Sequence, residues 1–250
     1  MIYKYFNQEE IHDKKNIEPE DLSAGRVIRH KIGYTNYPVK LAYEIFMRCL
    51  EKSNRSNRVV LYDPCCGGGY LLTVIGILCG ENIKKIYGSD ISADAVKFAV
   101  RNLALVNSQG LIERKTELDN LYNELQKDSH LNALQSVEKI YESVKTRNSE
   151  IYPEIFTANI LEEDALKQAK FKADIVIVDV PYGNLASWEN RENKTANNIS
   201  AMLDNIGFVI HEDTIVAVSF DKAQKIDNAN FSRVDKFQVG KRKIELLRRK

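Results

Sequence analysis

The segment "RVVLYDPCCGGGYLL", residues 58–72, decides the fold of this chain. It begins with an apolar run that stops at Asp63, and glycines follow at positions 67–69. An apolar run bounded by turn-forming residues is typical of a buried strand in a parallel sheet. The glycines permit a tight turn close to a ligand, and the apolar residues from Tyr70 onward predict a buried helix. The segment therefore predicts a strand, a glycine loop and a helix, the first half of a β–α–β unit.

The same alternation continues along the chain. Further strands are predicted at 84–90, 154–159, 173–179 and 214–220, and helices at 36–53, 69–80 and 92–107. Two extended runs separated by Gly240 predict a C-terminal antiparallel hairpin. Because alternating strands and helices form right-handed crossovers, we expect an α/β, Rossmann-like, doubly wound and mostly parallel sheet of seven strands.

The alternation is interrupted once, at residues 108–148. A broken stripe of leucines and other apolar residues predicts helix throughout this stretch, which we interpret as a helical insertion between the second and third strands. Residues 1–57 are predicted to form an N-terminal extension and helix, and residues 229–250 the terminal hairpin. On this interpretation residues 1–250 form a single domain.

The composition is that of an ordinary globular protein, with 44% hydrophobic and 28% charged residues. A net charge of +1 means that any nucleic acid must be held by local basic patches. The four cysteines form no CxxC pair, so neither a metal site nor a disulfide framework is expected. The N-terminus has no apolar signal core, and no apolar run approaches the roughly 20 residues of a membrane span. We therefore expect a cytoplasmic protein with no membrane partner.

Polar residues end four of the predicted strands. Three of these residues are acids, Asp63, Asp90 and Asp179, and the fourth is Asn159. Ligands of doubly wound sheets bind at the carboxyl ends of the strands, so four polar ends on one edge favour a binding site. The alternative is that each caps a turn or helix; Asp90 would compete with Ser92 for that role.

The first loop indicates which cofactor this site takes. Its glycines lack the third glycine of the G-x-G-x-x-G dinucleotide motif, which disfavours a nicotinamide dehydrogenase. Asp63 precedes the loop, where a carboxylate would repel a pyrophosphate but suit a cationic amino group. Asp90 ends the next strand, where a carboxylate can accept hydrogen bonds from ribose hydroxyls. This arrangement predicts S-adenosyl-L-methionine.

Several motifs carry a resemblance to a known family. "DPCCGGGYLL" resembles the glycine loop of class I S-adenosylmethionine-dependent methyltransferases, and "DVPYG" resembles their (D/N)-P-P-Y motif. Together with "NYPVKLAYEIFMRCL", "GSDIS" and "VGKRKIELLR", over residues 22–250, they resemble the avilamycin-resistance ribosomal RNA methyltransferases. Val180 stands where that motif usually has its first proline, and Gly68 where the loop usually has another small residue.

The resemblance implies a role for each matching residue. Gly67 and Gly69 let the methionine part of the cofactor lie against the loop, in which Cys65 is a cofactor contact that packs rather than acting as a nucleophile. Asp63 receives the amino group of the cofactor, and Asp90 binds its ribose. The other implied cofactor contacts are Ile91, Asn159 and Ile160 around the adenine, Tyr37 and Pro38 at the methionine end, and Asp179. Asn159 has a second interpretation as the cap of a helix formed by the following "LEED" segment.

The fourth strand end would hold the methyl acceptor. An exocyclic base nitrogen is a poor nucleophile, and acceptors for its N–H groups would align it and localise its lone pair. Asp179 and the carbonyl of Val180 would supply two acceptors, with Pro181 orienting that carbonyl and Tyr182 stacking on the base. We therefore predict these four residues as catalytic; packing in the core is the alternative for Tyr182.

The resemblance implies that the substrate is guanine in large-subunit (23S) ribosomal RNA, with resistance to orthosomycin antibiotics as a consequence. Two alternatives stay open: methylation of tRNA guanine or DNA adenine, and a non-catalytic cofactor- or RNA-binding protein. Basic groups at 26–31 and in "KRKIELLRRK", 241–250, are candidates for phosphate contacts, although a charged terminal strand also protects a sheet edge. The oligomeric state also stays open, a monomer being one possibility.

Overall fold

The structure, a computed structural model, describes residues 3–6, 16–34, 36–53, 55, 58–180 and 195–250. The strands are β1 (Val59–Asp63), β2 (Ile83–Asp90), β3 (Pro153–Thr157), β4 (Ala173–Asp179), β5 (Ile210–Asp221), β6 (Phe231–Val239) and β7 (Arg242–Arg249). The α-helices are α1 (Val39–Ser53), α2 (Tyr70–Leu78), α3 (Ala93–Leu103), α4 (Ser108–Leu125), α5 (Asp128–Lys145) and α6 (Thr195–Ile206). Short 3₁₀ helices occur at Pro19–Leu22, Gly80–Asn82, Ala104–Val106 and Gly207–Val209.

The strands form a seven-stranded sheet in the order β3-β2-β1-β4-β5-β7-β6. Strands β1 to β5 pair in parallel, whereas β7 is antiparallel to both β5 and β6. The predicted α/β sheet and its terminal hairpin are therefore confirmed. The strand order reverses on the two sides of β1, and such a switch point opens a crevice at the carboxyl ends of β1 and β4.

Both faces of the sheet are covered, as the apolar run of β4 requires. Ile175 and Ile177 pack in one hydrophobic core with α1 and α2. The alternate residues Val176 and Val178 pack in a second core with α6 on the opposite face. The two cores hold the central strands rigidly, so the strand ends are fixed in position relative to one another.

Three local features differ from the expectations. The insertion is confirmed as helical, but it consists of two helices because Gln126 adopts a left-handed conformation with φ of 48°. The third strand ends at Thr157 rather than at Asn159. The "LEED" segment forms turns instead of a helix. Within the described ranges, every helix is too short or too polar to cross a membrane.

Candidate active site

Three carboxylates meet at the carboxyl edge of the sheet. Asp63, Asp90 and Asp179 are the last residues of β1, β2 and β4, which are neighbouring parallel strands. They are close enough that the charges of Asp90 and Asp179 raise the pKa of Asp63. The structure thus brings together the three acids that the sequence predicted at one edge.

The glycine loop is tied to the ends of β1 and β2. The Cys65 N–H donates to Oδ1 of Asp63 at 2.9 Å, and the Gly67 N–H donates to Oδ2 of Asp90 at 2.9 Å. Ser89 also supports the loop. Its hydroxyl lies 2.8 Å from that of Tyr62 and donates to the carbonyl of Pro64. The loop is therefore held in its turn by the same acids that would face a ligand.

Two loop glycines have positive φ but different surroundings. Gly67 has φ of 51°, and a Cβ added there would meet no described atom within 4 Å. Gly69 has φ of 75°, and its added Cβ would lie 3.0 Å from Cβ of Ala99 in α3. Gly67 thus borders open space suited to a ligand, whereas Gly69 lets α3 pack against the start of α2.

Asp63 is the most unusual group of the site. Its side chain is 2% exposed, and it forms no ion pair with any described residue. Burial raises its pKa well above the ordinary range, and the Cys65 N–H only partly opposes that effect. A buried carboxylate without a cation partner in the described chain suits a cationic amino group, as S-adenosylmethionine carries. The Cys65 thiol is not an activated nucleophile, because burial raises its pKa well above the usual value.

The residues predicted around ribose and adenine lie along the ends of β2 and β3. Asp90 accepts from the Ser92 N–H at 3.0 Å as well as from Gly67, and its two oxygens keep further lone pairs for hydroxyl donors. Ile91 is 43% exposed beside it, whereas Ile160 is buried. Asn159 accepts from the Leu161 N–H and donates to Glu162, so it organises its own turn. Ser92 caps α3, as predicted.

The residues predicted at the methionine end precede α1. Tyr37 is buried and Pro38 is exposed, and the Pro38 carbonyl accepts the Ala42 N–H in the first turn of that helix. The guanidinium of Arg242 lies 5.2 Å from the centre of the Tyr37 ring. This contact connects the region before α1 with the first residue of β7.

Two of the four predicted catalytic residues can be located. Burial raises the pKa of Asp179, and the charge of Arg242 opposes this shift. Val180 is 1% exposed and its N–H donates to the carbonyl of Ser219 on β5. Pro181 and Tyr182 lie outside the described residues.

Sequence reasoning missed the individual importance of Arg242. Its Nε lies 3.7 Å from Oδ1 of Asp179, with the arginine side chain 25% exposed. In the sequence Arg242 belongs to a ten-residue basic tail, but in the structure strand β7 separates the basic residues of that tail from one another. Lys241 and Arg242 lie at the edge that holds the acids, whereas Arg249 lies seven residues, roughly 24 Å, along an extended strand from Arg242.

One residue of the second predicted basic group has a structural role. Arg29 pairs with Glu117 at 2.8 Å and donates to the carbonyl of Arg101, so it joins the N-terminal segment to α3 and α4. Asn102 completes this contact: it is 1% exposed and donates to the carbonyls of Arg29 and Gly68. These bonds support the glycine loop from the side of α3.

Comparison with known proteins identifies relatives over nearly the whole chain. A family model described as rRNA methyltransferase AviRa matches residues 1–242. The 23S rRNA (guanine(2535)-N(1))-methyltransferase of Streptomyces viridochromogenes is 31% identical over 239 residues, 95% of this chain and 94% of that protein. Two solved structures of rRNA methyltransferase AviRa from the same organism have a TM-score of 0.83 and 32% and 30% identity, each covering 93% of both chains.

Proposed function

This chain belongs to the AviRa family of rRNA methyltransferases, and from that premise we propose that it methylates N1 of a guanine in 23S ribosomal RNA. The observation that carries the proposal is the match, over 95% of this chain, to a relative whose name specifies that atom and that RNA. The acids at the ends of β1, β2 and β4 supply a matching site.

S-adenosylmethionine supplies a methyl group activated by a sulfonium, so the protein mainly has to bind the cofactor and align the acceptor. Asp63 is proposed to hold its amino group, Asp90 its ribose and the backbone at Gly67 its methionine chain. The other proposed cofactor contacts are Tyr37, Pro38, Cys65, Gly69, Ile91, Asn159, Ile160 and Asp179. For Gly69 the contact is indirect, since it shapes the loop by packing on Ala99.

A ring nitrogen changes what the fourth strand end must do. The (D/N)-P-P-Y resemblance suggested an exocyclic amino group, whereas N1 of guanine carries one hydrogen that must leave when the methyl group is attached. Asp179 is proposed to accept that proton, and burial suits it for this because it raises the pKa of the carboxyl group. The carbonyl of Val180, oriented by Pro181, would hold the neighbouring amino group, with Tyr182 stacked on the base.

The choice of N1 also restricts the form of the substrate. N1 lies on the Watson–Crick edge, so a paired guanine hides it from Asp179. The target nucleotide must therefore be unpaired or be flipped out of its helix before reaction. Its action on rRNA would take place with the ribosomes in the cytoplasm, and resistance to orthosomycins would follow if the methyl group blocks their binding.

The substrate class is tested by transfer of labelled methyl groups to purified 23S rRNA, tRNA and DNA under identical conditions. Label in 23S rRNA alone is expected, and Asp179→Asn should abolish it because the proposed proton acceptor is lost. Label in tRNA or DNA with none in 23S rRNA would contradict the proposal. Binding of cofactor and RNA without any transfer would favour the non-catalytic alternative.

A further inference from the structure

Arg242 occupies a position that the catalytic motif does not explain. It is the first residue of β7 and pairs with Asp221, the last residue of β5, so the antiparallel hairpin places it at the carboxyl edge of the parallel strands. Its Nε lies 3.7 Å from Oδ1 of Asp179, and its guanidinium lies 5.2 Å from the centre of the Tyr37 ring. The side chain thus lies beside both Asp179, the proposed proton acceptor, and the proposed methionine end.

The surroundings of this cation are mainly acidic. The described titratable or charged groups near the Asp179–Arg242 pair are Asp63 on β1, Asp221 on β5, Tyr37 before α1, and Lys241 and Lys243 on either side of Arg242, while Asp90 on β2 lies near Asp63. Oδ1 of Asp179 is buried and accepts no hydrogen bond from the described residues. The separation of 3.7 Å is an electrostatic contact, longer than the 2.7–2.9 Å of a charge-assisted hydrogen bond.

Methylation of N1 creates a specific electrostatic requirement. As the N1–H bond breaks, the electron pair on N1 is shared with the adjacent carbonyl oxygen O6, which becomes negative. In a site with three carboxylates, that charge is strongly disfavoured unless a cation lies beside O6. Preorganised donors aimed at a developing oxyanion are among the largest contributors to enzymatic rate.

We infer that Arg242 is a further catalytic residue, whose guanidinium donates a hydrogen bond to O6 of the target guanine while Asp179 removes the N1 proton. The inference rests on the proposed N1 specificity. The N1–H proton passes to Asp179, the N1 electron pair forms the bond to the methyl carbon, and the carbon–sulfur electrons stay on sulfur, which becomes a neutral thioether. Arg242 keeps its proton throughout and only stabilises O6.

Two consequences follow from this role, and the first distinguishes it from a structural ion pair. Without the arginine, the stabilisation of O6 is lost. The rate of methyl transfer should therefore fall most at pH values at which N1 of the guanine still carries its proton. At high pH, where hydroxide removes that proton, the rate should partly recover. The pKa of Asp179 should also rise when its cationic neighbour is removed, which moves the acid limb of the pH–rate profile to higher pH. An ion pair that does not contact O6 would produce the second effect alone, so the transfer rate without the arginine would equal that of wild type at every pH at which Asp179 is fully ionised.

The test compares Arg242→Gln and Arg242→Lys with wild type in single-turnover transfer to 23S rRNA across a range of pH. Arg242→Gln is expected to lower the transfer rate about 10²- to 10³-fold near neutral pH, with cofactor affinity unchanged. Arg242→Lys should retain part of the rate because it keeps the charge, and it remains informative if the glutamine variant folds poorly. Arg249→Gln, at the far end of the same strand, is the matched control and should behave as wild type.

Formation of 1-methylguanosine by the wild-type protein is measured in the same assay. If wild type makes none, the proposed function fails and the inference about Arg242, which rests on it, fails too. If wild type makes it and Arg242→Gln matches its rate, the role of Arg242 is refuted. A rate defect of the same size at every pH would equally refute it, since stabilisation of O6 requires the defect to shrink at high pH.

Discussion

Replacing the two positive-φ glycines of the loop by alanine separates the structure of the loop from its contact with the cofactor. At Gly67, with φ of 51° and no described atom within 4 Å of an added Cβ, the cost is that of a left-handed alanine, about 1–2 kcal/mol. At Gly69 the same backbone cost applies, and the added Cβ would lie 3.0 Å from Cβ of Ala99. Overpacking of this kind adds about 1–3 kcal/mol, so the total is about 2–5 kcal/mol.

Thermal unfolding and cofactor titration by calorimetry measure the two effects. At roughly 2–4 °C per kcal/mol for a chain of this size, the melting temperature should fall by about 2–8 °C in Gly67→Ala and about 4–20 °C in Gly69→Ala. Gly67→Ala should nevertheless lose more cofactor affinity, because its methyl group occupies the space proposed for the methionine chain. Gly240→Ala, with φ of 60° and equally open surroundings, is a control for the backbone cost alone. If Gly67→Ala binds the cofactor as tightly as Gly240→Ala does, the loop is not the cofactor surface.

Further predictions concern stability, pH and RNA contact. Because the folded-state pKa of Asp63 is raised, its contribution to stability is present below its unfolded pKa and is lost as pH rises through the folded value. Asp63→Asn should therefore be more stable than wild type at neutral pH in urea titrations, and this difference should vanish in acid. Calorimetry should show that the variant binds the cofactor roughly 10- to 150-fold more weakly. Equal affinity would contradict the role of Asp63. Asn102→Ala should lower the free energy of unfolding by about 1–3 kcal/mol, since it leaves the buried carbonyl of Gly68 without its donor. Lys222 and Lys241 lie side by side at the edge that holds the acids, and each should contribute to RNA binding. Replacing either by Glu should reduce the slope of log association constant against log salt concentration by about 1. Arg249→Glu should leave that slope unchanged.

The central sheet could be predicted because its strands have unambiguous patterns. The sheet is covered on both faces, and the apolar run of β4 ends at Asp179 in the sequence. The strand in the structure ends at the same residue. The break between α4 and α5 was not predictable in the same way. It depends on Gln126 in a left-handed conformation, which glycine and asparagine usually adopt, so the residue type gave no signal.

Some residues of the candidate site could likewise be predicted from the sequence, and others could not. Asp63 and Asp90 were predictable because they end adjacent parallel strands, and parallel strand ends share an edge. The end of β3 was placed two residues too late, because Asn159 satisfies its turn through its own side chain. Arg242 was hidden in a run of basic residues, since only the pairing of β7 with β5 decides which of them reaches Asp179.

The most direct test of the account is mass spectrometry of nucleosides from 23S rRNA incubated with S-adenosylmethionine and either the wild-type protein or Asp179→Asn. Fragment mapping of the same RNA locates the modified nucleotide. The account predicts 1-methylguanosine at one site with wild type and none with Asp179→Asn. A methyl group on the exocyclic guanine nitrogen, on adenine, or on no base at all would contradict it.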